Sequence, residues 1–421
     1  MIQPVGSKTI ERGTTMSVFG LDGAEITGLV RILCPDPDRG TVRQLFARAS
    51  WTGIAEPGDR AAGELVAALG PDGALASLVE AWPVSRITDA ASAAGSDLAT
   101  ADIESALARW SPRLKSGVAL VALRQAVRFA VQLLVPGDPS WPTGVDDLGC
   151  HAPIALWLRG NGSALAAADH SIALVGARAA TGYGEHITME ASSGLVDRGF
   201  AIISGAAYGI DGMAHRAALA SSGQTVAILA GGVDRFYPSG HDALLARIVD
   251  AGAVISELPC GSPPTKWRFL QRNRLIAAAS QATIVLEAGW RSGSLNTAGH
   301  AASLGRPIGA VPGPVTSAAS AGCHRLIRDY LATLVTSAAE MAELVPRAEV
   351  QGLPVSAEGR PGPSSLRVRL TDALSQRAPR SVDDLAARSG LSVAEVQAEL
   401  GSLQMDGEAA ELERGWIARR P

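Results

Sequence analysis

The nine residues 266–274, with the sequence KWRFLQRNR, combine four basic side chains with two aromatic rings and contain no acid. Cations that neutralise successive phosphates, interleaved with rings on which bases stack, bind single-stranded nucleic acid without reading its sequence. Trp267 and Phe269 are therefore candidates for base stacking. The alternative is that both rings belong to the core while the arginines cap neighbouring turns, and the sequence alone favours neither.

The charge around this segment contrasts with that of the whole chain. The 421 residues contain 37 Lys and Arg against 41 Asp and Glu, which gives a net charge of −4. Between Leu258 and Arg328, however, Glu287 is the only acid among eight basic residues. A segment this basic in an acidic chain predicts an anionic partner, usually a polyphosphate. The alternative is that several of these arginines pair with acids from elsewhere in the fold.

Four glycine-rich turns supply a second set of anion-binding groups. Each turn follows a short apolar segment: VGARAATGYG from Val175, SGAAYGIDGMAH from Ser204, LAGGVDRFYP from Leu229 and EAGWRSGSLNTAG from Glu287. Glycine permits close backbone approach, and a following helix N-terminus offers free N–H groups to an anion. The predicted phosphate contacts in these turns are Gly176, Arg178, Gly205, Gly231, Ser292 and Ser294.

The same turns give little support to a nucleotide cofactor or a metal. None has the G-x-G-x-x-G spacing of a dinucleotide site, and the second strand does not end in the required acid. Asp211 and His215 lie four residues apart, but two ligands are too few for a metal site, so Asp211 is expected to cap its helix. The four cysteines are scattered without a C-x-x-C pair. We therefore expect neither a metal nor a cofactor.

The turns require a sheet that brings them together. Six short apolar segments alternate with helical patterns between His170 and Leu344: SIALVG, GFAIISG, TVAILAGG, AVISE, ATIVLEA and PIGAVPG. This alternation is typical of an α/β fold, here an extended Rossmann-like, doubly wound parallel sheet. Ligands of such sheets bind at the carboxyl ends of the strands, which is where the turns fall.

The rest of the chain divides around this domain. The predicted parts are a loose tail at 1–16, a helical domain at 17–130, the Rossmann-like domain at 131–345, a Pro-, Gly- and Ser-rich linker at 346–366 and a winged helix at 367–421. The third helix of the predicted winged helix carries Glu395 and Glu399 but no base. Because phosphates would repel that face, the winged helix is predicted to contact protein or to regulate.

Residues 130–345 closely resemble the DprA/Smf family of DNA-processing proteins. Six motifs agree in order and spacing: VGARAATGYG, SGAAYGIDGMAH, AILAGGVDRFYP, ISELPCGSPPTKWRFLQRNRLIAAAS, EAGWRSGSLNTAGHAASLGRPIGAVPG and SAGCHRLI. The N-terminal helical part loosely resembles the SAM-like domain of this family, and the C-terminal part loosely resembles its winged helix.

The resemblance implies roles for individual residues. It assigns phosphate binding to Gly176 and Arg178, to Ser204 and Gly205, and to the element Arg272, Asn273 and Arg274, and it places Lys266 in the DNA pocket. The chain departs from the family at NTAGHA, where Gly299 stands in place of a common arginine and His300 replaces its charge at most in part.

The resemblance also implies a function. It predicts a protein without catalytic activity that binds single-stranded DNA taken up in natural transformation, protects the strand and loads the RecA recombinase onto it. It further predicts a homodimer formed through the Rossmann-like domain. A role in general recombination, in an organism that takes up no DNA, fits the sequence equally well.

An alternative of another class is a nucleotide-processing enzyme of the phosphoribohydrolase type, since related sheets host such enzymes. The Pro-Gly-Gly-x-Gly-Thr loop that those enzymes need is missing from EAGWRSGSLNTAG. No apolar run in the sequence approaches the roughly 20 residues that span a bilayer. The expected location is therefore the cytoplasm, without membrane association.

Overall fold

The computed structural model describes residues 17–34, 40–345 and 365–419. The predicted tail at 1–16 and most of the predicted linker lie outside the described residues. The described chain forms a helical domain, a nine-stranded sheet covered by helices, and a small C-terminal domain.

The helical domain follows a short hairpin. The hairpin strands are β1 (Ser17–Val18) and β2 (Leu21–Asp22), and the helices are α1 (Gly23–Leu33), α2 (Val42–Ile54), α3 (Arg60–Val79), α4 (Val84–Ala93), α5 (Thr100–Trp110) and α6 (Ser116–Arg128). Side-chain caps start several of them: Thr41 accepts a hydrogen bond from the Gln44 N–H, and Asp59 accepts one from the Ala62 N–H. The predicted helical character of this part is confirmed.

Helix α3 is the longest helix of this domain. Among the described residues it is the single helix whose length and mean hydropathy would allow it to cross a membrane, and half of it is buried inside the protein. The helix breaks at Gly70, whose φ of 72° lies in the left-handed region, immediately before Pro71.

All six predicted strands are present in the central sheet, and they are parallel. They are β5 (Ser171–Gly176), β6 (Ala201–Ser204), β7 (Thr225–Ile228), β8 (Ala253–Ser256), β9 (Ala282–Glu287) and β10 (Ile308–Ala310). The sequence did not predict β3 (Gln132–Leu134), β4 (Leu156–Gly160) or the edge strand β11 (Thr333–Leu334). Strands β3 and β4 extend the sheet with antiparallel pairing beyond β8.

The strand order defines where the sheet can bind a ligand. The order is β11-β10-β9-β5-β6-β7-β8-β4-β3. The chain therefore runs outward from β5 to β8 and then returns to the other side of β5 to form β9. At such a switch point the turns that follow β5 and β9 diverge and leave a crevice at the carboxyl ends of the strands.

Eight helices cover the sheet or pack at its ends. They are α7 (Gly162–Ala166), α8 (Gly182–Val196), α9 (Ile210–Ala220), α10 (Asp242–Ala251), α11 (Lys266–Ala279), α12 (Ser294–Ser303), α13 (Ala321–Asp329) and α14 (Ala338–Glu343). Short 3-10 helices occupy Ser111–Arg113, Thr143–His151, Ala167–His170 and Ser239–His241. The helical domain shares its apolar core with one end of the sheet, where the Trp157 indole N–H donates to the Thr52 hydroxyl over 3.1 Å.

The C-terminal domain contains the three helices and strand pair that the sequence predicted. They are α15 (Ser365–Ala373), α16 (Val382–Ser389), α17 (Val393–Met405), β12 (Ala409–Leu412) and β13 (Gly415–Ala418). Leu370, Leu385 and Leu400, one from each helix, form the centre of its own small core. Helix α15 begins at Ser365, just inside the range predicted as linker.

Candidate nucleic-acid interface

A cleft of about 610 Å³ opens at the switch point between β5 and β9. Its walls are the turns that follow β5, β6 and β9 together with one face of α11. The predicted site residues among its lining are Gly176, Arg178, Lys266, Phe269, Arg272, Asn273, Ser292 and Ser294. Four basic side chains and one carboxylate, Asp211, line the cleft.

Two glycines allow the turns to pack closely enough to form this cleft. A Cβ atom at Gly176 would overlap Ile210 at the start of α9, and one at Gly209 would overlap the Ala177 carbonyl oxygen. Gly209 also has a φ of 74°, which a side chain disfavours. The turns after β5 and β6 are therefore held in contact by backbone geometry that only glycine permits.

Arg178 presents its guanidinium at the cleft. The side chain is exposed and forms no ion pair within the part of the chain that the structure describes. Its guanidinium lies 4.8 Å from the centre of the Phe269 ring. An unpaired guanidinium that is positioned by an aromatic face is suited to bind a phosphate.

Arg272 lies deeper and has a different environment. Its guanidinium donates 2.7 Å to the Gly205 carbonyl and also to the Ile228 carbonyl, both at the ends of strands. Burial lowers the pKa of Arg272 to about 10, although nearby Asp211 opposes this shift. The group is therefore still a cation at neutral pH, and it brings a fixed positive charge to the floor of the cleft.

Asn273 connects the cleft to the turn after β9. Its side-chain amide donates to the Gly293 carbonyl and to the Asn296 side chain, each over 3.3 Å. Its carbonyl oxygen accepts from the Arg272 Nε over 3.2 Å. Beside it the Ser292 and Ser294 hydroxyls are 2.8 Å apart at the start of α12. Asn273 therefore orients both a cation and a hydroxyl-bearing turn.

The remaining predicted residues lie outside the cleft lining. Ser204 is buried and donates to the Leu174 carbonyl over 2.7 Å, while Gly205 packs against the Arg272 guanidinium. Gly231 packs against the loop that contains Ser262. These three residues shape the floor and flank of the site rather than its surface.

Two arginines of the basic segment have acidic partners that are distant in the sequence. Arg274 is buried in an ion pair with Glu257 and donates 2.6 Å to the His151 carbonyl. Arg268 is buried against Glu56, with an N–O distance of 2.8 Å. The alternative that arginines of the basic segment pair with acids from elsewhere in the fold therefore applies to these two, and also to Arg306, which pairs with Asp147 over 2.8 Å. Arg178, which precedes that segment, has no such partner in the described chain.

The two aromatic residues of the segment differ in position. Phe269 is half-buried in the cleft wall, between Arg178 and Arg272. Trp267 is half-buried outside the cleft, with the Arg369 guanidinium 5.3 Å from its ring. Phe269 is thus the better placed of the two to meet a base.

Asp211 and His215 do not act together in the structure. Asp211 is a buried part of the cleft lining, where burial raises its carboxyl pKa despite the opposing charge of Arg272. His215 points away to the Thr225 hydroxyl at 2.7 Å, and burial lowers its pKa to about 3. His300 is also uncharged at neutral pH, because burial, aided by Arg274, lowers its pKa to about 4. It therefore does not restore the charge that Gly299 leaves out.

Three exposed aromatic residues at the same sheet edge were not predicted as site residues. Tyr208, Tyr237 and Trp290 follow β6, β7 and β9, and their side chains are 47%, 49% and 53% exposed. Tyr237 lies 5.7 Å from Phe269 between ring centres, and Trp290 stands between the cleft-lining residues Gly289 and Arg291. The sequence feature that could have identified them is an aromatic residue within a glycine-rich turn at the end of a strand. Such a turn lies at the surface, so its ring is not expected to belong to the core.

Comparisons with known proteins agree with this architecture. The family model described as DNA recombination-mediator protein A matches residues 132–346, and a DprA winged helix model matches residues 354–413. This chain belongs to the DprA/Smf family. A putative DNA processing protein DprA of Mycobacterium tuberculosis is 45% identical over 303 residues, which cover 68% of this chain and 77% of that protein.

Other DprA/Smf proteins show the same relationship. Protein Smf of Escherichia coli is 36% identical over an aligned region that covers 64% of this chain and 72% of that protein. The crystal structure of DprA from Streptococcus pneumoniae superposes with a TM-score of 0.55 at 28% identity, covering 71% of this chain and 96% of that one. The family resemblance read from the six motifs is thereby confirmed.

Proposed function

We propose that this DprA/Smf protein binds single-stranded DNA in the cleft at the switch point, without sequence preference and without catalysing a reaction on it. The observation that carries the proposal is Arg178, an exposed guanidinium without an ion pair in the described chain, set over Phe269 among three phosphate-sized turns. Membership of a family of DNA-processing proteins supports DNA as the polyphosphate.

The arrangement of groups favours a single strand over a duplex. In a duplex the base faces are stacked on each other, whereas in a single strand they are free to stack on protein rings. Phe269 inside the cleft and Tyr208, Tyr237 and Trp290 around it provide such rings beside the cations. We infer that phosphates meet Arg178, Arg272 and the turns, and that bases meet the rings.

The predicted DNA-contact residues then divide into two groups. The side chains proposed to touch the strand are those of Arg178, Lys266, Arg272, Ser292 and Ser294, while Gly176 gives the strand room. Ser204, Gly205, Gly231 and Arg274 are proposed to act by holding the strand-ending turns and α11 in place. Asn273 does both, since it lines the cleft and orients Arg272.

The further roles of the protein are proposed from its family. A strand held through phosphates and stacked bases is protected from other proteins, and its release to the RecA recombinase would complete the processing. A homodimer through the Rossmann-like domain is supported by exposed Leu331 and Leu334 beside and within the edge strand β11. Work on DNA together with RecA would place the protein in the cytoplasm.

Fluorescence anisotropy with a labelled oligothymidine and with a duplex of equal length, over a salt series, tests the DNA-binding proposal. We expect a strong preference for the single strand. Arg178→Ala is expected to weaken binding about tenfold and to reduce the slope of log affinity against log salt by about 0.7, the value for one lost phosphate contact on a single strand.

Arg198→Ala is the matched control. Arg198 is an exposed arginine just after α8, at the opposite edge of the sheet. Its loss should leave the single-strand affinity and the salt slope unchanged. Equal affinity for the duplex, or equal effects of the two substitutions, would contradict the assignment of the cleft. Release of a base from nucleoside monophosphates by the wild-type protein would favour the enzyme alternative instead.

A further inference from the structure

The winged helix is docked against the mouth of the cleft. Helix α15 packs on α11, and its residue Val368 forms part of the cleft lining. The Arg369 guanidinium, one residue on, covers the Trp267 ring at 5.3 Å. A domain whose third helix is predicted to be repelled by phosphates thus lies where a DNA strand would enter.

One carboxylate of the winged helix occupies the start of α11. Asp372 accepts a hydrogen bond from the Trp267 N–H over 3.1 Å, and its other oxygen lies 3.6 Å from the Lys266 ammonium. The Asp372 side chain is only 9% exposed, whereas that of Lys266 is 79% exposed. A free amide at a helix N-terminus beside a lysine is an arrangement that also binds phosphate.

A buried ionic cluster holds the winged helix in this position. Glu56, from the helical domain, pairs with Arg113 and with Arg268 of α11. A Cβ atom at Gly390 of the winged helix would overlap the Glu56 side chain, and the Arg113 Nε donates 2.9 Å to the Ala387 carbonyl. The docked position is therefore built from contacts with both other domains.

From these contacts we infer that the winged helix and single-stranded DNA compete for the cleft mouth, with Asp372 in the place of a DNA phosphate. The inference rests on the proposed function. DNA that reaches Lys266 and the Trp267 amide must displace Asp372, and DNA that fills the cleft must displace Val368. The apparent affinity of the full chain is then its intrinsic affinity reduced by the fraction of molecules whose winged helix is undocked.

The competition also assigns a role to the acidic residues of the winged helix. Its third helix carries Glu395 and Glu399, so the domain does not follow the DNA once it is displaced. Its released surface, with the acidic helix and the contact face of α15, becomes available to another protein. Binding of the strand and exposure of a protein-binding surface are in this way linked.

The test uses the full chain and isosteric variants. Asp372→Asn removes the competing charge while keeping the side-chain shape, and it is expected to tighten binding of an oligothymidine about threefold to tenfold by raising the undocked fraction. Glu413→Gln, on the exposed turn between β12 and β13, makes the same charge change away from the cleft and should leave the affinity unchanged.

Hydrogen exchange of the wild-type chain gives a second measurement that needs no variant. On addition of oligothymidine, peptides from α15 should exchange faster while those from the start of α11 become protected. Protection of α15, or weaker binding by Asp372→Asn, would show a winged helix that closes over the strand and would overturn the competition.

The outcomes also separate this inference from the proposed function. Equal, tight binding by the wild type and Asp372→Asn would refute the competition alone. Absence of single-strand binding by every variant would refute the proposed function, and the competition would fall with it.

Discussion

Arg178 lies two residues beyond β5, and Arg274 lies within α11. Their guanidinium groups have different capacities to bind a ligand. Arg178 is exposed and unpaired in the described chain, so its charge is available to a ligand. Arg274 is buried between Glu257 and the His151 carbonyl, so its charge is already neutralised. At the scale of single residues, the sequence motif indicates which positions belong to the site. The distances to their partners then indicate whether a side chain is available to a ligand or supports the fold.

Arg274→Ala is expected to destabilise the fold rather than to remove a DNA contact. Loss of one partner leaves Glu257 as an unpaired buried carboxylate, which costs about 3 kcal/mol of unfolding free energy. Urea denaturation measures this change. Single-strand affinity, corrected for the folded fraction, should stay within about threefold of wild type, in contrast to the effect of Arg178→Ala. A tenfold loss of affinity without loss of stability would assign Arg274 to the DNA.

Trp290→Ala is expected to weaken binding of an oligothymidine about tenfold, since one stacked base contributes about 1 to 3 kcal/mol. The exposed indole stands beside the cleft residue Arg291, and the Arg325 guanidinium lies 5.1 Å from its ring. Trp82→Ala is the control, because Trp82 is a half-buried tryptophan of the helical domain that also lies under an arginine, Arg86, at 3.6 Å. Equal affinities of the two variants would exclude Trp290 from the strand's path.

At the scale of elements, the sequence predicted those strands and turns that a local residue pattern determines. The six parallel strands were recognisable because each is an apolar run that ends in a glycine turn, and the cleft follows from the position of those turns. Strands β3 and β4 are short, and they form through antiparallel pairing beyond β8. The pairing of Arg268 with Glu56 joins residues 212 positions apart, which no local pattern reveals.

Glu56 makes the junction of the three domains sensitive to acid. Burial alone would raise its pKa, but the guanidinium groups of Arg113 and Arg268 outweigh burial and hold the pKa of Glu56 well below its usual value. A carboxylate with a lowered folded-state pKa contributes stability above its unfolded pKa, near 4.3, and that contribution is lost as the pH falls through the folded-state pKa.

Glu56→Gln is therefore expected to lower the unfolding free energy at pH 7 by about 3 kcal/mol, since it leaves buried guanidinium groups unpaired. Below pH 4.5 the unfolding free energy of the variant should also decrease less steeply with falling pH than that of the wild type. Urea denaturation at each pH measures this dependence. Asp384→Asn, which removes the partially exposed pair with Arg388, should change the unfolding free energy by no more than about 0.5 kcal/mol. Equal effects of the two substitutions would contradict a structural role for the cluster.

At the scale of the whole molecule, the cleft edge and the lateral edge of the sheet present different groups to a partner. The carboxyl edge carries the cations and exposed rings, and the winged helix lies across it. The lateral edge ends at β11, which pairs with β10 on one side, while no other strand of the described chain pairs with its outer side. Within residues 17–34, 40–345 and 365–419, this sheet edge is left without a further strand, and such an edge is a site of association with another chain.

The homodimer is expected to form at that edge. Leu331 is 93% exposed and Leu334 is 50% exposed, an apolar surface that a second copy of the Rossmann-like domain would cover. Size-exclusion chromatography with light scattering should give twice the chain mass for the wild type and the single-chain mass for the double variant Leu331→Glu, Leu334→Glu. Met405→Glu, an equally exposed apolar position on the winged helix, should keep the dimer mass. Because the β11 edge lies away from the carboxyl edge of the strands, the monomeric variant should still bind a short oligothymidine that fills a single cleft. A dimer that persists in the double variant would place the interface elsewhere.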